Sequence, residues 1–477
     1  MKILFIGFGA VAKCVSHVWT LVSDIKITKV LIIEPLEKIR GIDYPDWFPS
    51  HHAQIALTPE NYKEILDTFN KSEYFSGFDL VIDLSVYVDG LAMLEWCQNN
   101  KILYINTAIE AWEDTEVWKN TNDNCPLLKI CKENTENLDT LKKNTLQYQQ
   151  NIAKEKYTNS GTTALLDMGQ NPGCVSMYVL SALDFLKDKY DIKADSYGEI
   201  AMKLGLETIH ISEYDSQITN LKASEDIFIN TWSCIGFCEE ASQPLEIGFG
   251  SHEEMLQTGV IYGNQLLLPK RSMNVFCESY EPMNGKLIGR LISHSENNTI
   301  TNYLKHGEYK PSTYYVYKSS QVSQDSLEFL KKNEYIAQPK FKVLTCQEIE
   351  SGYDSVGVLF LFKDKPSFWY GSIVTNEYAC KINKNINATT LQVAAGILSG
   401  VEWILKNPKI GVCFPENIDT PQESLAKMKL LLGHLYCGEV PFKPKSNKLI
   451  DLIELKCDSI EDAKIARECR KSLEKNK

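Results

Sequence analysis

Lys2-Ile3-Leu4-Phe5-Ile6-Gly7-Phe8-Gly9-Ala10-Val11-Ala12, followed by an apolar run over 30–33 that ends on Glu34, decides how the rest of the chain is read. The run before Gly7 is continuous rather than alternating, as a parallel strand buried on both faces requires. Residues 11–22 have helical spacing. Strand, Gly-x-Gly-x-x-Ala, helix, strand and acid together form the dinucleotide-binding fingerprint. Gly7 permits the tight turn, and Gly9 lets a pyrophosphate approach the backbone. Ala12, in place of a third glycine, still allows close helix–strand packing. Ala10 and Val11 open a helix whose N-terminus offers free N–H groups and a positive dipole end to phosphates. Glu34 can accept hydrogen bonds from ribose hydroxyls and would repel a 2′-phosphate, so the expected cofactor is NAD rather than NADP. An export signal would explain neither the glycine spacing nor the second strand.

The 477 residues suffice for a large core and two or three domains. A formal net charge of -12, from 62 acidic against 50 basic residues, argues against a nucleic-acid partner. Fourteen cysteines include no C-x-x-C pair. Neither Cys125 with Cys131 nor Cys234 with Cys238 has the spacing and histidine companions of a zinc site, so reduced packing thiols are expected. No histidine sits in an H-E-x-x-H pattern, and no catalytic metal is expected. No apolar run reads as transmembrane in length, and a cytoplasmic globular protein without a membrane partner is expected.

Along the chain, 61–69 and 91–99 read as helices, 78–85, 102–107 and 163–168 as further strands, and 174–186 as a helix. Open α/β sheets bind ligands at the carboxyl ends of their strands. That rule places Asp83, Ser85, Asn106, Thr107 and Glu110 beside the cofactor, although Asp83 reads equally well as a strand-end turn former. Asn171-Pro172-Gly173 sits at a strand–helix junction and could be only a turn, but its position at the mouth of the sheet makes Asn171 a candidate for a role there. Residues 119–159 read as a helical connector. Short alternating runs then follow at 200–204, 208–212, 227–232, 286–292, 314–317, 341–345, 356–362 and 367–375. They suggest a mostly antiparallel sheet domain inserted after the dinucleotide unit. A long apolar helix over 389–406 returns to that unit. The expected architecture is thus an α/β Rossmann-type dinucleotide-binding domain over 1–170, completed by a returning helical segment over 386–420. An inserted α+β domain over 171–385 binds substrate and dimerises, and a helical tail spans 421–477.

Taken singly, Glu213 after a strand is compatible with a solvated loop, and Trp232 with a core. Seven segments together carry more. Asn106-Thr107-Ala108-Ile109-Glu110-Ala111-Trp112, Leu166-Asp167-Met168-Gly169-Gln170-Asn171-Pro172-Gly173, Glu213-Tyr214-Asp215-Ser216-Gln217 and Asn230-Thr231-Trp232-Ser233 resemble bacterial homospermidine synthases. So do Gly248-Phe249-Gly250-Ser251-His252-Glu253, Ile292-Ser293-His294-Ser295-Glu296 and Ala388-Thr389-Thr390-Leu391-Gln392-Val393. The wider relatives are saccharopine dehydrogenase-like proteins. The resemblance implies a homodimeric transferase in which NAD oxidises an amine carbon of putrescine to an imine and ammonia leaves. A second putrescine then attacks, and the hydride is returned. Spermidine can replace one putrescine, with release of 1,3-diaminopropane.

The resemblance also implies site roles. Glu110 and Glu213 bracket the substrate near the nicotinamide, with Glu240 and Asp354 at the other end. Trp232 offers an aromatic face to the cationic imine. Asn171 holds an amine or the nicotinamide amide, and Glu213 or His294 is the base. After Leu84-Ser85-Val86 the family pattern calls for an acid where this chain has Tyr87; Asp89, two positions on, is the candidate substitute. The competing class is an NAD(P)-dependent saccharopine- or carboxynorspermidine-type oxidoreductase. Its substrates carry carboxylates, for which a bidentate Arg is the usual answer. The motifs quoted contain no Arg; Arg271 and Arg290 lie outside them. A catalytically silent NAD-binding regulator would need neither the acids nor the indole.

Overall fold

The computed structural model describes residues 1–35, 44–112, 145–157, 161–254 and 260–455. Most of the connector expected over 119–159, the charged end of the tail, and Cys125 and Cys131 lie outside the described residues.

Seven parallel strands form the first sheet. In spatial order they are Val412–Cys413, Ala164–Leu165, Leu103–Asn106, Leu80–Asp83, Lys2–Ile6, Lys29–Ile33 and Ser50–Ala53. The chain enters in the middle, runs to one edge, then crosses back and builds toward the other. The switch point lies between Lys2–Ile6 and Leu80–Asp83, where such sheets bind ligands. Ser50–Ala53 carries no apolar run to announce it. It is an edge strand whose two histidines are exposed. The strand expected over 163–168 shortens to Ala164–Leu165, because Asp167 takes a positive φ of 61° and turns the chain.

Helix Ala388–Lys406 packs on helix Ala10–Val22 beside this sheet. Its small residues allow close approach. A Cβ on Gly396 would lie 1.8 Å from the carbonyl oxygen of Gly169, and one on Gly400 would meet Ile105, Met168 and Leu165 within 2.9 Å. By length and composition these 19 residues could cross a membrane, which corrects the reading that no run is long enough. Instead, 83% of the apolar stretch is buried inside the protein.

The second sheet has eleven strands and is mostly antiparallel. Its central strand, Leu206–Asp215, runs parallel to Ser312–Lys318 on one side and antiparallel to Tyr353–Phe362 on the other. Glu213 is in register with Tyr317 and Val356, Ile211 with Tyr315, and Asp215 with Asp354. Side chains alternate across a strand. One face therefore carries Ile209, Ile211, Tyr315, Tyr317 and Val356 into the same core as Ala12, Met168 and Leu391. Tyr314, Val316, Leu359 and Leu361 pack into a separate core on the other face. Glu213 and Asp215 thus lie on the face turned toward the dinucleotide-binding sheet.

Two expectations fail. Residues 200–204, expected as strand, belong to helix Tyr197–Leu204. Ser196 caps its N-terminus, accepting from the N–H of Glu199, and Gly205 takes a left-handed φ of 72° at its end. These end signals prevail over a brief apolar alternation. The tail begins with helices Pro421–Lys427 and Lys429–Leu432 but then departs from the helical reading. Gly433, at φ 62° and too close to the Ile373 carbonyl for a side chain, breaks the helix. His434–Glu439 then joins the second sheet as an edge strand on Phe368–Thr375, and Ile453–Leu455 pairs with Val275–Glu281.

Candidate active site

The glycine turn is shaped for a dinucleotide. Gly7 has φ 79°, and a Cβ there would lie 2.8 Å from the Leu84 carbonyl oxygen. Around a Cβ placed on Gly9 there is nothing within 4 Å. Gly9 caps helix Ala10–Val22 with no side-chain hydrogen bond to its first N–H groups. The Phe8 N–H donates to Glu34 Oε2 at 2.8 Å, which fixes the acid beside the turn. These residues fit a bound dinucleotide.

At the neighbouring strand ends the polar groups hold one another. Asp83 Oδ1 accepts from the Ser85 hydroxyl at 2.6 Å and Oδ2 from the Tyr104 hydroxyl at 2.9 Å. Burial pushes the Asp83 carboxyl up to about 6 against these donors. Asn106 Oδ1 accepts from the Asp167 N–H at 2.9 Å, and Thr107 lies against Gly169.

Glu213, 2% exposed, accepts on one oxygen from Asn171 Nδ2 and from the Tyr315 hydroxyl, each at 2.6 Å. Burial pushes its carboxyl up to about 8, although both donors and His294 pull the other way. Asp215 holds Gln217 through Oδ1 at 3.0 Å and Thr231 through Oδ2 at 2.7 Å. Opposite it, Asp354 is fully buried; burial, and then the charges of Glu213 and Asp215, hold its carboxyl well above the usual range. Trp232 Nε1 donates to the Tyr317 hydroxyl at 3.2 Å.

His294 lies between two carboxylates. Its Nε2 is 3.1 Å from Glu240 Oε1, and its Nδ1 is 3.0 Å from Glu296 Oε1. Burial alone would lower its pKa, but Glu296 and Glu240 outweigh it and hold the imidazole well above its usual value. Both carboxylates thus favour the imidazolium form of His294. Glu110, at the mouth of the parallel sheet, is held well above the usual carboxylate range by burial. The charges of Glu239 and Glu240 on helix Cys234–Ser242, and those of Asp83 and Asp167, add to the shift. Glu110 thus lies within electrostatic reach of Glu239 and Glu240 on that helix.

Not every expected residue joins them. Asp89 caps helix Gly90–Asn100, accepting from the Ala92 N–H at 2.8 Å. With Tyr62, Glu95, Trp112 and Tyr157 it lines a cavity of about 310 Å³ on the opposite face of the parallel sheet. Asp89, the candidate substitute for the acid missing at Tyr87, is thus engaged as a helix cap on that face. Sequence reasoning passed over Tyr315, Tyr317 and Asp215 as separate site residues. The available signal was two-residue spacing: Tyr315 and Tyr317 on the strand beside Glu213, and Asp215 two positions from Glu213 on its own strand. Arg271 donates to the Ser242 carbonyl and lies over the Tyr335 ring at 4.0 Å. Arg290 donates to the Met273 carbonyl and pairs with Glu328 at 3.5 Å. Among the described residues, no group of three His, Cys, Asp or Glu side chains is placed to hold a metal ion.

A parallel sheet with a dinucleotide turn, faced by acids from a second, mostly antiparallel sheet, defines a two-domain nicotinamide-dinucleotide enzyme. The chain belongs to the saccharopine dehydrogenase family. Residues 3–165 match the saccharopine dehydrogenase NADP binding domain, and 169–432 the saccharopine dehydrogenase C-terminal domain. It is 28% identical over 446 residues to a homospermidine synthase from Blastochloris viridis, covering 87% of each chain. A homospermidine synthase from Mesorhizobium japonicum is 27% identical over 437 residues, covering 87% of this chain and 86% of that one. The crystal structure of the Legionella pneumophila homospermidine synthase in complex with NAD superposes with a TM-score of 0.78 at 28% identity, covering 96% of this chain and 95% of that one.

Proposed function

We propose that this protein is a homospermidine synthase that joins two putrescines, or spermidine and putrescine, through an imine, with no net redox change. The carrying observation is the hydrogen-bonding company of its acids. Glu213 and Asp215 accept from Asn, Tyr, Gln and Thr, and Glu240 faces His294. Such carboxylates suit a small dication. Each ion pair roughly balances attraction against desolvation, so the acids supply selectivity more than affinity.

The cofactor is NAD, supported by Glu34 beside the turn and by the NAD in the Legionella relative. Gly7, Gly9, Ala10, Val11 and Glu34 would hold it. Bound NAD takes a hydride from an amine-bearing carbon and later returns it. Before that carbon can lose hydride, its ammonium must lose a proton. With an alkylammonium near pKa ~10.4, this costs about 1.36 kcal/mol per pH unit. Glu213, near 8, is matched to accept that proton, and the Asn171 amide keeps it in place. His294, biased toward its imidazolium by Glu296 and Glu240, serves as a positive charge between them and not as the base. Trp232 presents an indole to the cationic carbon, worth ~0.5–2 kcal/mol. Glu110 with Glu240, and Asp354 with Asp215, bind the ammonium ends.

The competing oxidoreductase class would need a guanidinium free to clamp a carboxylate. Arg271 and Arg290 already serve carbonyl oxygens and ring faces. The protein is further proposed to act in the cytoplasm as a homodimer. Incubation with putrescine and NAD tests the reading: homospermidine with stoichiometric ammonia supports the synthase, whereas steady NADH accumulation supports a dehydrogenase.

A further inference from the structure

We propose that Tyr315 and Tyr317 are positioning residues that fix the Glu213 carboxylate and the Trp232 indole in register with each other. This rests on the synthase reading of the site and deepens it.

The two tyrosines stand two residues apart on strand Ser312–Lys318, so both project from the face that carries Glu213. Their rings stack at 5.6 Å with 15° between planes. Tyr315 donates its hydroxyl proton to Glu213 at 2.6 Å; Tyr317 accepts the Trp232 N–H at 3.2 Å. Phe237 closes the far side, edge-on to Tyr317 at 5.3 Å and tilted against Trp232 at 5.6 Å. Both tyrosine side chains are fully buried. A buried phenol in a ring stack has little rotamer freedom, so each hydroxyl is a fixed point. Parallel pairing to Leu206–Asp215 then sets the spacing between those points and Glu213. Neither tyrosine need touch the reacting carbon for this.

The groups facing Glu213 are Asp215 on its own strand, Tyr315 and Tyr317 on one neighbour and Asp354 on the other. Asn171 approaches from the sheet mouth, and His294 precedes helix Ser295–Tyr303. Of these, Tyr315 and Asn171 bond to it directly. Removing the Tyr315 hydroxyl takes a donor from the charged form and raises the Glu213 pKa. Removing the Tyr317 hydroxyl leaves the direct bonds to Glu213 in place but takes the acceptor from a partly buried indole N–H.

Tyr315→Phe and Tyr317→Phe in the full-length protein test this. The carboxyl titration of Glu213 is followed by infrared difference against Glu213→Gln, and the indole N–H by ultraviolet resonance Raman difference against Trp232→Phe. Tyr315→Phe is expected to move the Glu213 titration upward by about one pH unit and to leave the indole marker in place. Tyr317→Phe is expected to do the reverse, and to lower kcat on putrescine about 3- to 30-fold with KM nearly unchanged. If either phenylalanine variant fails to fold, 3-fluorotyrosine at 315, a stronger donor, should move the Glu213 titration downward. An unmoved Glu213 titration in Tyr315→Phe or in the fluorotyrosine protein, or an unmoved indole marker in Tyr317→Phe, overturns the proposal. If both markers move as expected but the wild-type protein makes no homospermidine, the positioning holds and the synthase reading falls.

Discussion

Asp215 and Asp354 stand directly opposite each other on neighbouring antiparallel strands, two carboxylates sharing one buried face. Asp215 is engaged by Gln217 and Thr231, whereas Asp354 lies beside Thr389 with its pKa well above normal. Like charges this near disfavour double ionisation. An arriving diammonium reverses the balance, because a cation favours the charged form of each acid.

Diamine binding should therefore release protons. Calorimetric titration of putrescine into the NAD-loaded protein at pH 7, in buffers of different ionisation enthalpy, should report release of about one proton per site. Asp354→Asn should reduce that release and raise KM for putrescine on the order of tenfold. Proton uptake on binding would contradict the placement of these acids.

Glu213 should lower stability at alkaline pH. Its folded pKa of about 8 lies above the ordinary 4.5, so between those values the folded state holds more protons than the unfolded one. Stability must then fall as pH rises through that window and level off above it. Glu213→Gln removes the titration. Its Tm should match wild type near pH 4.5 and exceed it by a few degrees at pH 9, in protein free of substrate, while turnover is mostly lost. A constant Tm difference across pH would show that Glu213 titrates normally.

The dinucleotide sheet was legible because its signals are local: a continuous apolar run, glycines at fixed spacing, an acid at the next strand end. Glu110, Asn171, Glu213, Trp232 and His294 stand in the segments that carry the family resemblance, whereas Glu240 and Asp354 lie outside them and were candidates by position alone. What holds them was not legible. The bond from Asn171 to Glu213 spans 42 residues, and that from Tyr315 spans 102. No window of sequence contains such a partner, and strand register alone brings it into reach. The misreading of 200–204 has the opposite cause. There the helix-end residues were local and visible, but a short alternation was weighted above them. Asp89 shows a third limit, since an acid near an expected position can be engaged by a helix N-terminus.

His294 should remain protonated well above the pH at which a free histidine loses its charge. Glu240 and Glu296 both favour the imidazolium, and together they outweigh its burial. Nitrogen-15 NMR of the histidine rings should show both His294 nitrogens protonated at pH 8, a state lost first in Glu240→Gln or Glu296→Gln. A neutral ring at pH 7 would return His294 to the list of possible bases and shift the acid limb of the kcat profile to it.

Gly7 and Gly9 should respond oppositely to alanine, although they sit two residues apart in one turn. At Gly7, the positive φ of 79° and the Leu84 carbonyl, 2.8 Å from the added Cβ, both resist a side chain. Gly7→Ala is therefore expected to destabilise the protein by roughly 1–3 kcal/mol through strain and overpacking, with cofactor affinity falling as a consequence. At Gly9 the backbone is extended, and an added Cβ meets nothing within 4 Å. Gly9→Ala should fold with an unchanged Tm when free of cofactor. The new methyl group would occupy space needed by the pyrophosphate, so NAD affinity should fall tenfold or more, about 1.4 kcal/mol or above. Thermal melts with and without NAD separate the two cases. Wild type should gain Tm on adding NAD and Gly9→Ala should gain little, because a ligand stabilises only as far as its concentration exceeds its Kd. Undiminished stabilisation of Gly9→Ala by NAD would mean that the pyrophosphate does not cross the turn at this glycine.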